Sequence, residues 1–219
     1  SDISTHNIHS IVDNLGLDLY TEVVNWDEMK DLQLAFIKSQ VRDIDIPQDL
    51  VFFSSLYNFA AKNKFKYILT GGNFSTECVR EPLEWGAYYQ TDMTYINDIH
   101  RKFGKIPLTT FPTCDIFKYK ILYRLINGVR VVKPLDHVPF IKEEAIKLLH
   151  DKFNWTPYPH KHHESRFTRF FESFWLPRKF GYDRRKAHFS SLILTNQMNR
   201  DAALDRISRH ELDEQTLIQ

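Results

Sequence analysis

The 219-residue sequence predicts an α/β fold: a parallel-sheet domain over residues 1–158, followed by a C-terminal helical extension over residues 159–219. Three observations predict it. Short apolar runs and helix-length amphipathic stretches follow one another in β-α-α-β order, which favours parallel crossover pairing over a sandwich. The run Tyr67-Ile68-Leu69 stops at Gly71-Gly72, as a buried strand does before a turn. From Glu164 onward the apolar spacing is helical, with Phe167, Phe170, Phe171 and Phe174 on one stripe and Ser165, Thr168, Arg169 and Glu172 opposite.

Taken in order, residues 4–15 read as a helix capped by Ser4 or Thr5 and ended by Gly16, with Ile8, Ile11, Val12 and Leu15 inward. Residues 17–24 are β-branched and aromatic enough to read as a strand. Asn25 then caps a helix from Trp26 to Lys38, with Asp27 and Glu28 where the dipole favours acids and Met29, Leu32, Ala35 and Phe36 inward. Pro47 breaks the chain before a helix over 48–63 that is apolar on most sides and so reads as buried between layers. After the Gly71-Gly72 strand comes a long excursion holding a helix over 92–103, which Gly104 ends as its C′ residue. Residues 117–126 read as helix, 129–135 as strand, and 140–153 as a helix with Ile141, Ala145, Leu148, Leu149 and Phe153 inward. Helices over 184–195 and 200–209 follow. Strands near 17–24, 66–70 and 129–134 make a thin sheet, so one or two further strands are expected ahead of residue 1.

Composition narrows the classes of function. A formal net charge of +1 gives no general reason for binding nucleic acid or an anionic membrane, so any anion site has to be local. Two cysteines, Cys78 and Cys114, are too few for a disulfide framework or a zinc module and suit a reducing cytoplasm as packing thiols. No apolar span approaches the length needed to insert across a bilayer. With Phe 17, Tyr 10 and Trp 4, rings supply much of the core and pocket surface.

Three clusters could carry chemistry. Ligands of open α/β sheets bind beyond the carboxyl ends of strands, and there Gly71 and Gly72 allow close backbone approach, with Asn73, Glu77 and Arg80 directly after. An ordinary strand-to-loop turn is the alternative. Lys133 closes the second strand at the same edge. The segment from His160 to Arg169 is open to three readings: a metal site on His160, His162, His163 and Glu164; an anion site on Lys161 and Arg166 at a helix start; or a solvated helix entry. The basic run from Arg178 to Lys186 is open between a helix-end preference, a partner contact and a clamp on an anionic substrate.

Several stretches together carry a family resemblance: residues 31–36 (DLQLAF), 44–49 (IDIPQD), 67–82 (YILTGGNFSTECVREP), 132–135 (VKPL), 161–168 (KHHESRFT) and 179–183 (KFGYD). They resemble the N-acetyl sugar amidotransferase family of bacterial surface-polysaccharide biosynthesis, lipopolysaccharide O-antigen included. The resemblance implies an adenine nucleotide alpha-hydrolase-like (Rossmann-like) sheet with PP-loop ATP-pyrophosphatase chemistry, as in asparagine synthetase, GMP synthetase and tRNA-lysidine synthetase. It implies ATP and Mg²⁺ as cofactors, a nucleotide-activated sugar as substrate, and as partners a glutaminase subunit and a barrel-shaped ammonia-channelling subunit. A cytoplasmic setting goes with it, and a homodimer stays open.

Carried onto this sequence, the resemblance puts Gly71, Gly72 and Lys133 on the nucleotide. It puts Asn73, Glu77, Lys161 and Arg166 in catalytic positions, and Arg80 and Trp85 on the sugar side. The family's Ser-Gly-Gly-x-Asp-Ser phosphate cradle is not in the sequence, and Gly71-Gly72-Asn73 matches the strand end across the cleft from it. The expectation is a domain lacking that N-terminal loop and unable to complete ATP cleavage as it stands. A non-catalytic interaction domain and a tRNA-modifying relative are the rival readings, and the neutral charge disfavours the second.

Overall fold

The structure, a computed structural model, describes residues 2–85, 89–158 and 165–209. Its helices are α1 (Asp2–Leu15), α2 (Trp26–Ser39), α3 (Ile46–Lys62), α4 (Phe74–Glu77), α5 (Met93–Phe103), α6 (Lys142–Phe153), α7 (Arg166–Phe170), α8 (Arg185–Leu194) and α9 (Arg200–Ser208). Two π-helical stretches, Lys118–Ile126 and Phe171–Phe180, and two strands, β1 (Tyr67–Leu69) and β2 (Arg130–Val132), complete them. The strands are parallel, with Tyr67 opposite Arg130, Ile68 opposite Val131 and Leu69 opposite Val132. The residues expected as a strand at 17–24 join no sheet. Their β-branched character finds no neighbouring ladder among the described residues, and a strand without a ladder leaves its backbone to solvent.

Two compact units divide the chain along a line other than the linear boundary at residue 158. One comprises 21–70 and 86–132, and the other 1–20, 71–85 and 133–219. In the first unit α2 is the spine. Asn25 caps it as expected, its side chain accepting from Asp27 N at 3.0 Å and Glu28 N at 3.4 Å. Leu32, Ala35 and Phe36 are fully buried. Glu28 and Asp31 are buried with them, which dipole preference does not explain. Glu28 accepts from the backbone and hydroxyl groups of Thr109 and Thr110 at 2.7–3.1 Å. Asp31 accepts from Lys105 N at 2.8 Å and Ile106 N at 3.0 Å, and lies 3.3 Å from His100 Nε2. Two carboxylates thus hold the irregular stretch after α5.

α3 is deepest along the face of Leu50, Tyr57 and Ala60 and half-buried over most of the rest, while Phe52 is exposed. Tyr57 and Ala60 pack with Ile68, Cys114, Tyr123 and Val129, and Tyr57 stacks on Tyr123 with ring centroids 5.7 Å apart. Burial pushes the Cys114 thiol up to about 11, which makes it the inert packing thiol its isolation suggested. Gly104 ends α5 as expected and is extended, with φ −78°. A Cβ there would lie 2.7 Å from His100 O, so close approach requires this glycine, not handedness.

In the second unit α1 begins at Asp2, ahead of the expected caps, and ends as expected on Gly16 at φ +60°. Its most buried residue is Asn7, not the apolar stripe; Ile8 and Leu15 are exposed. Asn7 donates to Thr156 O at 2.9 Å and accepts from Thr156 N at 2.8 Å, which imitates a strand partner for the chain leaving α6. α6 carries no fully buried residue, and Leu148 is half exposed. Phe189, Leu192 and Ala203 join α8 to α9.

Burial raises the pKa of Glu28, and its bonds from Thr109 and Thr110 outweigh that; for Asp31, burial is likewise outweighed by Ile106, Lys105 and His100, so both carboxyls end below their usual values. A carboxyl depressed in the folded state adds stability above its unfolded pKa, about 4, and loses it as pH falls through the folded value. Urea midpoints are therefore expected to stay flat from neutral pH to about pH 5 and to drop below about pH 4. The variant with Glu28→Gln and Asp31→Asn is expected to have a lower midpoint at neutral pH and a shallower acid decline. An unchanged acid slope would count against the carboxylate tether.

Candidate functional site

The segment from Gly71 to Trp85 contains one helix of four residues, α4, too short to satisfy its own carbonyls. Side chains around α8 do so instead. Thr195 Oγ1 donates to Ser75 O at 2.8 Å, and Ser191 Oγ accepts from Val79 N at 3.0 Å while donating to Ala187 O. His188 Nδ1 lies 3.2 Å from Thr76 O. Gln197 reaches two segments: its amide nitrogen donates to Phe140 O at 3.3 Å and to Ser75 O at 3.5 Å, and its oxygen accepts from Lys142 N at 2.9 Å.

Within that frame Asn73 caps α4. Its side-chain oxygen accepts from Thr76 N at 2.9 Å and Thr76 Oγ1 at 3.2 Å, and its nitrogen donates to Gly71 O at 3.2 Å. Asn73 is buried, so its amide holds the turn rather than facing outward. Asp136 supports the same turn from the next segment, accepting from Phe74 N at 2.6 Å.

The turn brings Gly72, Glu77 and Lys133 together. A methyl group placed on Gly72 would sit 3.5 Å from Glu77 Oε2 and 3.7 Å from Lys133 Nζ. Neither Gly71 nor Gly72 has the positive φ that only glycine adopts freely, and among the described residues nothing lies within 4 Å of a Cβ on Gly71. Alanine fits at both positions, at ordinary van der Waals distance at Gly72. Among the described residues, conformation and packing therefore do not demand glycine here, beside the exposed side chains of Lys133 and Glu77.

The remaining predicted residues divide. Trp85 stacks on Tyr182, centroids 4.8 Å apart and planes 12° from parallel, and Tyr182 stacks on Phe180 at 5.9 Å. Gly181, at φ +72°, makes this possible: its N donates to Pro177 O and Tyr182 N to Leu176 O, which ends the π-helical stretch and swings the Tyr182 ring out. Arg80 and Arg166 are exposed, and among the described residues no hydrogen bond or ion pair ties either to the Gly72 trio. Arg166 opens α7, where Ser165 Oγ accepts from Thr168 N at 3.2 Å. Lys161, with His160, His162, His163 and Glu164, lies outside the described residues.

Sequence reasoning passed over Asp136, Ser191, Thr195 and Gln197. Arg184 forms ion pairs with Glu81 at 2.5 Å and Glu172 at 3.2 Å and covers the Phe171 ring at 4.9 Å. Arg185 donates to the carbonyls of Arg206, Ile207 and Arg209 at the end of α9. The basic run is thus scaffolding in these two members, Arg185 following the helix-end preference.

The segment that frames the turn also has a recognised likeness. Residues 164–219 match the family described as LPS biosynthesis protein WbpG-like, C-terminal domain. The match supports involvement in lipopolysaccharide biosynthesis. No curated protein and no solved structure matches the chain. The side chains of Ser191, His188, Thr195 and Gln197 that bond the Gly71–Trp85 segment lie within the WbpG-like residues.

Ser191 is fully buried and serves Val79 N. Ser191→Ala is expected to lower unfolding free energy by about 1–3 kcal/mol, the cost of a buried donor left without an acceptor. Arg166→Ala, on an exposed side chain, is expected to stay within about 0.5 kcal/mol of the parent. Denaturant titration of the two variants side by side checks this, and equal effects would remove the distinction between frame and surface.

Proposed function

We propose that the chain forms part of an ATP-dependent amidotransferase that converts the N-acetyl group of a nucleotide-activated sugar to an acetamidino group. The observation that carries the reading is the Gly72 environment: a backbone kept bare without conformational need, between the Lys133 ammonium and the Glu77 carboxylate. β1 and β2 are parallel, so the residues that follow them in the chain, Gly71–Asn73 and Lys133, leave the pair at the same end. That is where open α/β sheets bind nucleotides. The WbpG-like match supports the pathway class, and the resemblance across the chain supports the reaction.

In this reading the acetamide oxygen attacks the α-phosphorus of ATP and pyrophosphate leaves. Ammonia then adds to the activated carbon, the C–O bond breaks, AMP carries the oxygen away, and loss of a proton leaves the amidine. A glutaminase partner supplies the ammonia through a channelling subunit. Lys133 offsets phosphate charge, with Arg166 and Lys161 as further cations for it, and the bare backbone at Gly71 and Gly72 lets phosphate or ribose approach. Arg80 and the Trp85–Tyr182 stack serve the sugar side. Among the described residues no group of three metal-ligating side chains converges. Nucleotide-borne Mg²⁺ needs only one or two carboxylates besides phosphate and water, and Glu77 fits that demand.

Gly72→Ala separates binding from folding, since the methyl fits the protein but occupies the proposed approach path. Calorimetric titration with ATP and with a UDP-N-acetyl sugar is expected to show affinity for both. A loss of at least about tenfold, equivalent to about 1.4 kcal/mol, is expected in Gly72→Ala and Lys133→Ala at unchanged melting temperature. Arg166→Ala is expected to weaken binding with little loss of fold. A sugar nucleotide without the acetyl group should bind without supporting ammonia-dependent amidine formation in the assembled enzyme. Full affinity in Gly72→Ala would refute the assignment, and failure of the parent chain to bind either ligand would favour the interaction-domain reading.

A further inference from the structure

The π-helical stretch Lys118–Ile126 in the first unit has one face that the protein uses and one that it does not. Tyr119 and Tyr123 turn inward: Tyr123 is buried, its hydroxyl donates to Asn58 Oδ1, and Tyr119 packs edge-on to Tyr57 at 5.1 Å. Outward stand Phe117, Ile121, Leu122, Leu125 and Ile126, with Phe117 71%, Leu125 77% and Ile126 67% exposed. Isolated exposed apolar residues are ordinary, but five within ten positions on one element form a contiguous patch.

The charge around this patch is one-sided. From Ile116 through Val132 the sequence has Lys118, Lys120, Arg124 and Arg130 and no acidic residue. Lys66 adds a cation at the C-terminal end, its ammonium donating to Asn127 O at 2.7 Å. Asp115, just before the stretch, is drawn into it as a cap for Lys118 N at 2.7 Å. The chain as a whole is nearly neutral, so this is a local concentration of positive charge.

We infer that this face docks on the surface of an anionic lipid bilayer, with Phe117, Ile121, Leu125 and Ile126 seated in the interface and Lys120 and Arg124 reaching the headgroups. Basic side chains interleaved with exposed large apolar ones are the pattern of helices that lie in the membrane plane, because the long cationic stems follow the apolar surface while their charges stay among the lipid phosphates. A protein partner fits less well, since lysine is depleted where interfaces are apolar. Among the described residues no helix is long and apolar enough to cross a membrane, so the contact is peripheral.

Co-sedimentation of the full chain with phosphatidylglycerol–phosphatidylethanolamine vesicles tests this, with pure phosphatidylcholine vesicles as the neutral comparison. Binding to the anionic vesicles only, weakening as salt rises, is the expected result. Leu125→Glu is expected to reduce binding more than tenfold. Lys120→Gln, which cannot disturb the core, is expected to reduce it about fivefold, the equivalent of about 1 kcal/mol per basic residue at such a surface. Absence of binding to anionic vesicles, or unchanged binding in both variants, overturns the inference. So does lipid-independent self-association abolished by Leu125→Glu in light scattering, which would assign the face to a second copy of the chain.

Discussion

The carbonyls and amides of the segment between Asn73 and Val79 have no regular structure of their own to satisfy them, and the second unit is arranged around that need. A four-residue helix has no complete internal ladder. Ser191, Thr195, His188 and Gln197 stand in for one, each placed by α8 or the turn that ends it. Gln197 also fixes residues 140–142, the entry to α6, to the same support. The position of Gly72 relative to Lys133 therefore rests on these side chains, which lie within the WbpG-like residues, together with Asp136, which accepts from Phe74 N.

The first unit meets the same constraint with the opposite polarity. There the irregular stretch after α5 exposes N–H groups rather than carbonyls, and α2 answers with Glu28 and Asp31. Buried carboxylates are tolerable only when donors surround them. Glu28 accepts two backbone amides and two hydroxyls, and Asp31 two amides beside an imidazole. In both units a regular helix supplies the geometry and polar side chains transmit it to a loop.

Much of the local structure was legible in the sequence because it follows from short-range rules. Asn25 caps α2, Gly16 ends α1, Asp92 starts α5, and the run around Ile68 is a strand. The failures share a cause. Residues 17–24 have strand-like side chains, but a strand exists only with a neighbour, and composition does not supply one. Phe52 in α3 and Ile8 in α1 are apolar yet exposed, while Asn7, Glu28 and Asp31 are polar yet buried. Those inversions depend on which backbone groups need partners, a tertiary fact. The site was half legible for the same reason. The Gly71-Gly72 turn and Lys133 could be read from strand ends, whereas Asn73 proved to be a cap and Gln197 leaves no periodic trace.

Net charge illustrates how an average conceals a surface. A value of +1 argued against anionic partners in general and required any such site to be local. Acids elsewhere in the chain are committed to tasks that keep them local too: Glu28 and Asp31 to the loop after α5, Glu81 and Glu172 to Arg184, Asp136 to Phe74 N, and Asp115 to Lys118 N. Coulomb interactions at physiological salt are largely screened beyond about 8 Å. What a partner meets at the outward face of the π-helical stretch is set by the nearest few side chains, and these are cationic and apolar together.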